Sequence, residues 1–283
     1  MLQEVNGCRI IDNIIKNTSA KMNNISQKRL SYWNERSSLG YSAGSGDVNL
    51  KRLEVDTIKA NIDKAKTILD AGCGNGIALY EIIRDLSNTN AFGFDYSEGM
   101  INKALELFKE KRVDNLIKVC VGDLLDPPES DLIKLGAPKS GFDLIYTERS
   151  IINLNTLDEQ IIAIKNLWKL LKVGGKMILC ESFIDGLNEI NSFRSSIGIE
   201  DIKPPWHNRY LSKSEINLIN PSDNIPEFKE FSGSYYFISR IVNAFEAKRK
   251  DTNPSYDDPM NLMSINLESL DVCGQAKLVI FRK

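Results

Sequence analysis

Three glycines at alternate positions, Gly72, Gly74 and Gly76, follow Asp70, which ends the apolar run Thr-Ile-Leu. Because glycine has no Cβ, its backbone can approach a ligand closely and adopt positive φ at little cost. The amide groups that open a following helix lack intrahelical partners and carry partial positive charge. This stretch therefore predicts a buried strand, a tight turn and a helix start that bind a nucleoside-containing ligand.

Two further acidic residues end later apolar runs and extend this candidate site. Asp95 lies 23 residues after Gly72, near the spacing of about 20 at which an acid accepts ribose hydroxyl groups. A carboxylate suits a vicinal diol because its two oxygens can accept both O–H groups. Asp123 ends the next run, Val-Cys-Val-Gly-Asp. A helix cap is the alternative role for Asp95 and a turn before Pro127 for Asp123, but three strand-end acids in order favour ligand binding.

The heptapeptide Asp-Ala-Gly-Cys-Gly-Asn-Gly resembles the first motif of class I S-adenosylmethionine-dependent methyltransferases, with its third glycine one residue earlier than in G-x-G-x-x-G. The resemblance implies S-adenosylmethionine as the cofactor, with the loop around its methionine end and ribose. It also implies that Tyr96 and Met100 flank the adenine and that Asp123 and Leu124 contact its amino group and ring. The full predicted cofactor-binding set is Asp70, Gly72, Cys73, Gly74, Gly76, Asp95, Tyr96, Met100, Asp123, Leu124 and Thr147.

The stretch Phe-Asp-Leu-Ile-Tyr-Thr-Glu-Arg, residues 142–149, predicts the fourth strand, whose end faces the methyl group and the acceptor in that family. Amino-methylating nucleic-acid enzymes usually carry Asn/Asp-Pro-Pro-Tyr/Phe there, so Tyr-Thr-Glu-Arg disfavours N-methylation of adenine or cytosine. Arg149 is a candidate catalytic residue whose planar fork could hold an anionic acceptor, and a structural pair with Glu148 is the alternative. His207, the only histidine, is a candidate base for hydroxyl methylation, with a surface turn as the alternative.

The elements that must position these residues alternate between strand and helix over residues 67–183. Strands are predicted at about 67–71, 90–95, 116–121, 142–147 and 176–183, and helices at about 76–87, 97–111 and 156–171. This alternation predicts a parallel sheet with helices on both faces and its strand ends along one edge. With a sixth strand at 227–238 and an antiparallel last strand at 277–282, the predicted fold class is a Rossmann-like, doubly wound, mostly parallel seven-stranded α/β sheet.

The segment before the first strand, residues 1–66, carries helical patterns near 8–28 and 48–64, and its residues 1–47 are predicted to be a helical extension that forms a lid. Between these patterns lies a flexible Gly/Ser-containing stretch in which Tyr32, Trp33 and Tyr41 are candidates for a lid over the cofactor. Packing of the same aromatic residues into the core is the alternative. Asp47 is a further site candidate.

The remainder, residues 48–283, is predicted to form the methyltransferase domain. Its polar stretch 184–226 is predicted to be an insertion after strand five that recognises the substrate, because binding residues concentrate on loops carried by a rigid scaffold. A helix is predicted near 239–250 and a loop over 251–259.

Composition bounds the class of protein. A chain of 283 residues with 42% hydrophobic residues can form a full α/β core, and a net charge of −2 gives no global attraction to nucleic acid or anionic membranes. The five cysteines are scattered without a C-x-x-C pair, so neither a metal site nor a disulfide framework is expected. We expect a cytoplasmic protein with no membrane or nucleic-acid partner, and a homo-oligomer stays open.

The function that these features predict is S-adenosylmethionine-dependent methyl transfer to a small-molecule acceptor by in-line displacement at the sulfonium methyl. The expected acceptor is a hydroxyl group, on a sugar or a surface-glycan precursor. A nicotinamide-dependent oxidoreductase is the first alternative, against which the early third glycine argues. A non-catalytic homologue that only binds the cofactor is the second.

Overall fold

A seven-stranded sheet forms the centre of the fold in the computed structural model, which describes residues 24–283. The strands are β1 Thr67–Ala71, β2 Asn90–Asp95, β3 Ile117–Val121, β4 Phe142–Glu148, β5 Leu171–Ser182, β6 Glu227–Glu230 and β7 Ala276–Arg282. Their order is β3-β2-β1-β4-β5-β7-β6, in which β1 to β5 pair in parallel and β7 runs antiparallel to both neighbours. The predicted Rossmann-like α/β fold with an antiparallel last strand is confirmed.

Helices connect these strands and cover both faces of the sheet. They are α1 over residues 24–36, α2 Val48–Lys59, α3 Ile77–Ile83, α4 Glu98–Glu110, α5 Glu129–Lys134, α6 Leu157–Lys169, α7 Ile184–Ser196, α8 Ile216–Ile219, α9 Gly233–Tyr236, α10 Asn243–Arg249 and α11 Pro259–Ser264. A 3-10 helix, Ser37–Ser42, lies between α1 and α2, and a π-helical stretch, Phe237–Val242, joins α9 to α10.

The core lies on both faces of the sheet because a parallel strand is buried on both sides. Successive residues of a strand point to opposite faces, so Ile68 and Leu69 belong to different apolar clusters. Leu144 and Ile145 in β4 divide between the clusters in the same way. Fully burying one such side chain contributes about 1.5–3 kcal/mol, which fixes the register of the strands that carry the site.

The register brings the ends of the parallel strands to one edge. Asp70 of β1 pairs with Gly93 of β2, and Asp95 at the end of β2 pairs with Val121 at the end of β3. On the other side of β1, Asp70 pairs with Tyr146 of β4. The loops that follow β1 to β4 therefore meet at a common edge of the sheet.

The N-terminal prediction needs correction where the structure describes it. Residues 8–23 of the first predicted helical pattern lie outside the described residues. Helix α1 continues through residues 31–36, which were predicted to be a flexible connection, so Tyr32 and Trp33 lie on a helix. The second predicted pattern, 48–64, corresponds to α2, which ends at Lys59.

The predicted sixth strand at 227–238 is wrong beyond Glu230, because helix α9 begins at Gly233. A Cβ on Gly233 would lie 2.0 Å from the Leu270 carbonyl oxygen, so only glycine lets this helix start lie against that backbone. The aromatic residues from Phe228 to Phe237 do not alternate in and out, since Tyr235 and Tyr236 are both buried. The loop predicted over residues 251–259 extends to Asp258, which is the N-cap of α11.

Candidate cofactor and acceptor site

One cavity of about 550 Å³ opens at the edge of the sheet where the strand ends meet. The two predicted catalytic residues, Arg149 and His207, both line it. Nine predicted cofactor-binding residues line it as well: Asp70, Gly72, Cys73, Gly74, Asp95, Tyr96, Met100, Asp123 and Leu124. Residues distant in sequence thus meet around one space, as the order of strand-end acids predicts.

The glycine loop after β1 adopts a backbone that needs glycine. Gly72 has φ +87°, and a Cβ there would lie 2.4 Å from the Ser150 Cβ. Gly74 has φ +51°, and its added Cβ would meet no atom within 4 Å, so the space above it is open. The amides of Gly72 and Cys73 both donate to the Phe94 carbonyl, at 2.8 and 2.9 Å. The loop is therefore tied to β2 and leaves an open surface over Gly74.

The Asp95 carboxylate lies beside this loop at the end of β2. One oxygen accepts the Gly74 amide at 3.0 Å and the other accepts the Ser97 amide at 2.9 Å. The N-cap of α4 is Ser97, whose hydroxyl accepts the Met100 amide, so capping does not account for Asp95. Burial raises the pKa of Asp95 to about 6, against the two amide hydrogen bonds, which lower it.

Asp70 is buried at the end of β1, and only one of its two carboxylate oxygens has a hydrogen-bond partner among residues 24–283. Its Oδ2 accepts the Tyr146 hydroxyl at 2.8 Å, while Oδ1 has no hydrogen-bond partner among residues 24–283. Burial raises the pKa of Asp70 to about 8. A buried acceptor oxygen costs free energy unless it is paired, so Asp70 is suited to a ligand that brings a donor or a positive charge.

Asp123 and Tyr96 complete this part of the wall. Asp123 follows β3, where one carboxylate oxygen accepts the Leu125 amide at 2.9 Å and orders the turn. Asp123 therefore both orders the turn and lines the cavity. Tyr96 presents a buried hydroxyl without a hydrogen-bond partner in the described chain.

Two predicted cofactor-binding residues do not line the cavity. Gly76 has φ +75° and begins α3, where an added Cβ would lie 2.5 Å from the Phe108 ring, so it allows α3 and α4 to pack closely. Thr147 is fully buried, and its hydroxyl donates to Glu181 at 2.7 Å. Both residues support the loops that form the wall, and direct contact of either with the cofactor stays a prediction.

Glu181 is a positioning residue that the sequence did not reveal. Its carboxylate, fully buried at the end of β5, accepts the amides of Ser150 and Ile151 at 3.1 and 3.0 Å. Burial raises the pKa of Glu181 to about 7, against these hydrogen bonds, which lower it. The contacts fix the loop after β4, which carries Arg149 and Asn153 into the cavity.

Arg149 occupies the turn at the end of β4 with φ +52°, in the left-handed region that non-glycine residues seldom adopt. Its Nε lies 3.2 Å from Glu54 Oε2 and its Nη2 lies 3.6 Å from Glu148 Oε1. Lys51 of α2 pairs with Glu148 at 2.5 Å. The predicted Glu148–Arg149 pair is present, and α2 adds a second acid and a lysine to it.

His207 lies in a group of aromatic rings that joins α1 to the segment after α7. Its ring centroid is 4.7 Å from that of Tyr32 and 5.3 Å from those of Trp33 and Trp206. Burial, followed by the charges of Arg29 and Arg36, lowers the pKa of His207 to about 4. The imidazole is therefore neutral at physiological pH, and its buried Nδ1 has no partner among residues 24–283.

The three aromatic residues predicted as a lid differ in where they lie. Tyr32 and Trp33 line the cavity, whereas Tyr41 is exposed and donates to Glu81 at 3.0 Å. Asp47 does not line the cavity: it caps α2 by accepting the Leu50 amide and pairs with Arg240 at 2.5 Å.

Several cavity residues were not identified from the sequence, among them Lys51, Tyr236, Arg240 and Gln275. Tyr236 and Arg240 are four residues apart, a helical spacing that would have indicated a shared face if Tyr236 had not been assigned to the predicted strand 227–238.

Comparison with known proteins bears on this geometry. A model of the methyltransferase domain matches residues 62–193. Residues 62–193 belong to the class I S-adenosylmethionine-dependent methyltransferase superfamily. Membership implies S-adenosylmethionine as the cofactor of this methyltransferase domain.

Two curated relatives show how widely acceptors vary around this domain. The tRNA N(3)-methylcytidine methyltransferase of Schizosaccharomyces pombe is 32% identical over 115 residues, 40% of this chain and 35% of that protein. The sterol 24-C-methyltransferase of Clavispora lusitaniae is 20% identical over 206 residues, 66% of this chain and 51% of that protein. The chain thus spans between a third and about half of these relatives' lengths.

A solved structure supports the fold. The geranyl diphosphate C-methyltransferase of Streptomyces coelicolor, in complex with Mg²⁺, geranyl diphosphate and S-adenosyl-L-homocysteine, superposes with a TM-score of 0.50. It is 16% identical, and the match covers 82% of this chain and 78% of that one. Within residues 24–283, no helix combines the length and apolar character that crossing a membrane requires.

Proposed function

We propose that this methyltransferase domain transfers the methyl group of S-adenosylmethionine to a hydroxyl group of a small-molecule acceptor, such as a sugar or a surface-glycan precursor. The observation that supports this most is the meeting of Asp70, the Gly72–Gly74 loop, Asp95 and Asp123 around one cavity with open space above Gly74. The cofactor supplies a methyl group that its sulfonium already activates.

The chain's own residues fit this cofactor. The open backbone at Gly74 and Asp70 Oδ1, unpartnered among residues 24–283, suit the methionine end, which carries an ammonium group. The Asp95 oxygens, each held by one amide, keep further lone pairs for the ribose hydroxyls. Tyr96 and Leu124 would contact the adenine. Methyl transfer needs alignment and exclusion of water, and Tyr32 and Trp33 cover the cavity for that purpose.

His207 supplies a proton acceptor for a hydroxyl nucleophile. Its imidazole is neutral because burial and nearby arginines lower its pKa to about 4, and its Nδ1, which no group of the described chain occupies, can accept a hydrogen bond that orients the hydroxyl. Such a weak base takes the proton only as the new C–O bond forms, since the oxygen then becomes strongly acidic. In this proposal His207 orients the nucleophile and receives its proton late.

The cavity volume favours a small molecule. Its 550 Å³ lies within the range of about 300–1,000 Å³ that is usual for small-ligand sites. The tRNA methyltransferase relative makes an RNA acceptor the second candidate.

The proposal is tested by methyl transfer from S-adenosylmethionine labelled in its methyl group. Sugars and sugar nucleotides, a panel of other hydroxyl compounds, and tRNA are offered as acceptors. We expect label in a small hydroxyl compound, with the rate reduced about 10²-fold in His207→Gln, as for loss of a general base. The control is the exposed change Arg52→Gln, which should transfer at the wild-type rate. Transfer to tRNA alone would replace the proposal with the RNA candidate, and transfer to no acceptor despite cofactor binding would favour a non-catalytic homologue.

A further inference from the structure

The cavity has a second half, formed by different elements from those that carry the predicted cofactor residues. The cofactor residues follow β1, β2 and β3, whereas Arg149 follows β4 and Gln275 precedes β7, which lie on the other side of β1 in the sheet. Lys51 of α2, together with Tyr236 and Arg240, joins them. We call this half the acceptor chamber and define it by Lys51, Glu148, Arg149, Lys203, Tyr210, Tyr236, Arg240 and Gln275.

The acceptor chamber is lined mainly by positive charge. Its cations are Lys51, Arg149, Lys203 and Arg240, and Glu148 is the one carboxylate among its defining residues. Two further acids, Glu54 and Asp47, pair with the arginines from behind the wall. With these acids counted, four cations face three carboxylates around the chamber, which leaves an excess of one positive charge.

The arginines act together on the chamber's tyrosines. The Arg240 guanidinium carbon lies 5.2 Å from the centroid of the Tyr236 ring. Burial raises the pKa of Tyr210, and hydrogen bonds with Asn208 and Gln275, followed by the positive charges of Arg149 and Arg240, oppose that rise. The Tyr210 hydroxyl accepts the Gln275 amide at 3.3 Å.

Arg149 differs from Arg240 in the hydrogen bonds it has available. Arg240 donates to Asp47 and to the Ser239 hydroxyl. Arg149 Nε and Nη2 face Glu54 and Glu148 at 3.2 and 3.6 Å, and these acid oxygens form no hydrogen bond with them. The side of the guanidinium that does not face these acids can bind an anion in the cavity that Arg149 lines.

Arg149 thus combines a left-handed backbone, a place in the cavity wall and acidic neighbours that do not hydrogen-bond its guanidinium. We propose that the acceptor carries an anionic oxygen group, a carboxylate or a phosphate, and that Arg149 binds this group. The inference rests on the proposed function, because it assigns the chemistry of the acceptor at the same site.

The test measures binding of sodium benzoate, inorganic phosphate and neutral benzamide to the full chain at constant ionic strength, with and without S-adenosylhomocysteine. We expect at least one of the two anions to bind. If benzoate binds, neutral benzamide should bind at least about tenfold more weakly. Arg149→Gln should weaken binding of the anion by about tenfold, as expected for loss of a charge-assisted hydrogen bond. Stronger binding of benzoate would identify a carboxylate, and stronger binding of phosphate a phosphate.

Arg149→Lys keeps the charge without the fork and should lose part of the affinity, which keeps the test valid if Arg149→Gln does not fold. Arg52→Gln, an exposed change on the same helix as Lys51, should leave anion binding unchanged. Any of three results would overturn the inference. Neither anion binds; benzoate and benzamide bind equally and phosphate does not bind; or both Arg149 variants bind the anion as tightly as the wild type. If S-adenosylhomocysteine also fails to bind the wild-type protein, the proposed function fails as well, whereas its binding with no anion effect rejects only this inference.

Discussion

Two buried aspartates at neighbouring strand ends differ in what they have left to bind. Both Asp95 oxygens accept backbone amides, so this carboxylate fixes the glycine loop while keeping lone pairs for a diol. Asp70 shares one oxygen with Tyr146 and leaves the other unpartnered within the described chain. Without a ligand, Asp70 is therefore the acid whose charge is the less well compensated, and its protonation should be visible in stability.

The residue-scale prediction concerns the pH dependence of folding without cofactor. Burial raises the pKa of Asp70 from 3.8 to about 8, so between these values the folded chain holds a proton that the unfolded chain releases. The free energy of unfolding should therefore fall as pH rises through this window, with Asp70 contributing up to about 1.4 kcal/mol per pH unit. Asn at position 70 cannot titrate, so the free energy of unfolding of Asp70→Asn should fall less steeply between about pH 5 and pH 8. Urea unfolding at pH values roughly one unit apart measures this free energy for both proteins.

Other buried acids act in the same direction, since burial raises the pKa of Glu54, against the opposing charge of Arg149, and raises that of Glu181 to about 7. The comparison of slopes isolates Asp70 from them. The exposed Asp114→Asn should keep the wild-type slope. An Asp70→Asn slope equal to that of the wild type would show that Asp70 is ionised in the folded chain and would reject this description of the site.

At the scale of elements, helix α1 covers the cavity and is held at a few polar contacts. The Asn34 side-chain oxygen accepts the Ser97 hydroxyl at 2.6 Å and the Gly99 amide at 3.1 Å. The segment that follows α1 is held by the Asn75 side chain, which donates to the Gly40 carbonyl at 2.8 Å. The covering element thus contacts the N-terminus of α4 and the glycine loop, both of which carry predicted cofactor residues.

This arrangement predicts that loosening α1 speeds cofactor release. Asn34 does not line the cavity, and Asn34→Ala removes two hydrogen bonds worth about 0.5–1.5 kcal/mol each. We expect S-adenosylhomocysteine to dissociate about fivefold or more faster, as measured by displacement with excess unlabelled ligand. Ser31→Ala removes a hydrogen bond to Glu35 within the same helix and should leave the rate unchanged. Equal rates in Asn34→Ala and wild type would mean that α1 does not retain the ligand.

At the scale of the whole molecule, local sequence predicted the sheet and identified residues that meet around one cavity. Apolar runs that end in Asp70, Asp95 and Asp123 predict strands and mark their ends, and the topology of a parallel sheet then brings those ends together. Gly76 and Thr147 do not line the cavity, and motif membership alone does not distinguish a residue that contacts a ligand from one that supports the loop. Glycine packing on Phe108 and a hydroxyl bond to Glu181 are tertiary contacts.

The acceptor half could not be predicted for a related reason. Glu54 and Lys51 come from α2, and Arg240 comes from a helical segment that was assigned to the end of a strand and the helix after it. Their meeting with Arg149 depends on packing between segments far apart in sequence. The aromatic residues around Tyr235 favoured a strand by composition, whereas in the structure Tyr235 and Tyr236 are both buried within helix α9.

The central claim is that the strand-end acids and the glycine loop form one site for an adenosyl cofactor. Titration calorimetry with S-adenosylhomocysteine tests it most directly. We expect the wild-type protein to bind, Asp114→Ala to bind equally, and Asp95→Ala to bind about 10- to 100-fold more weakly, since hydrogen bonds to a charged group contribute about 1.5–3 kcal/mol. No binding to the wild-type protein, or undiminished binding to Asp95→Ala, would contradict the account.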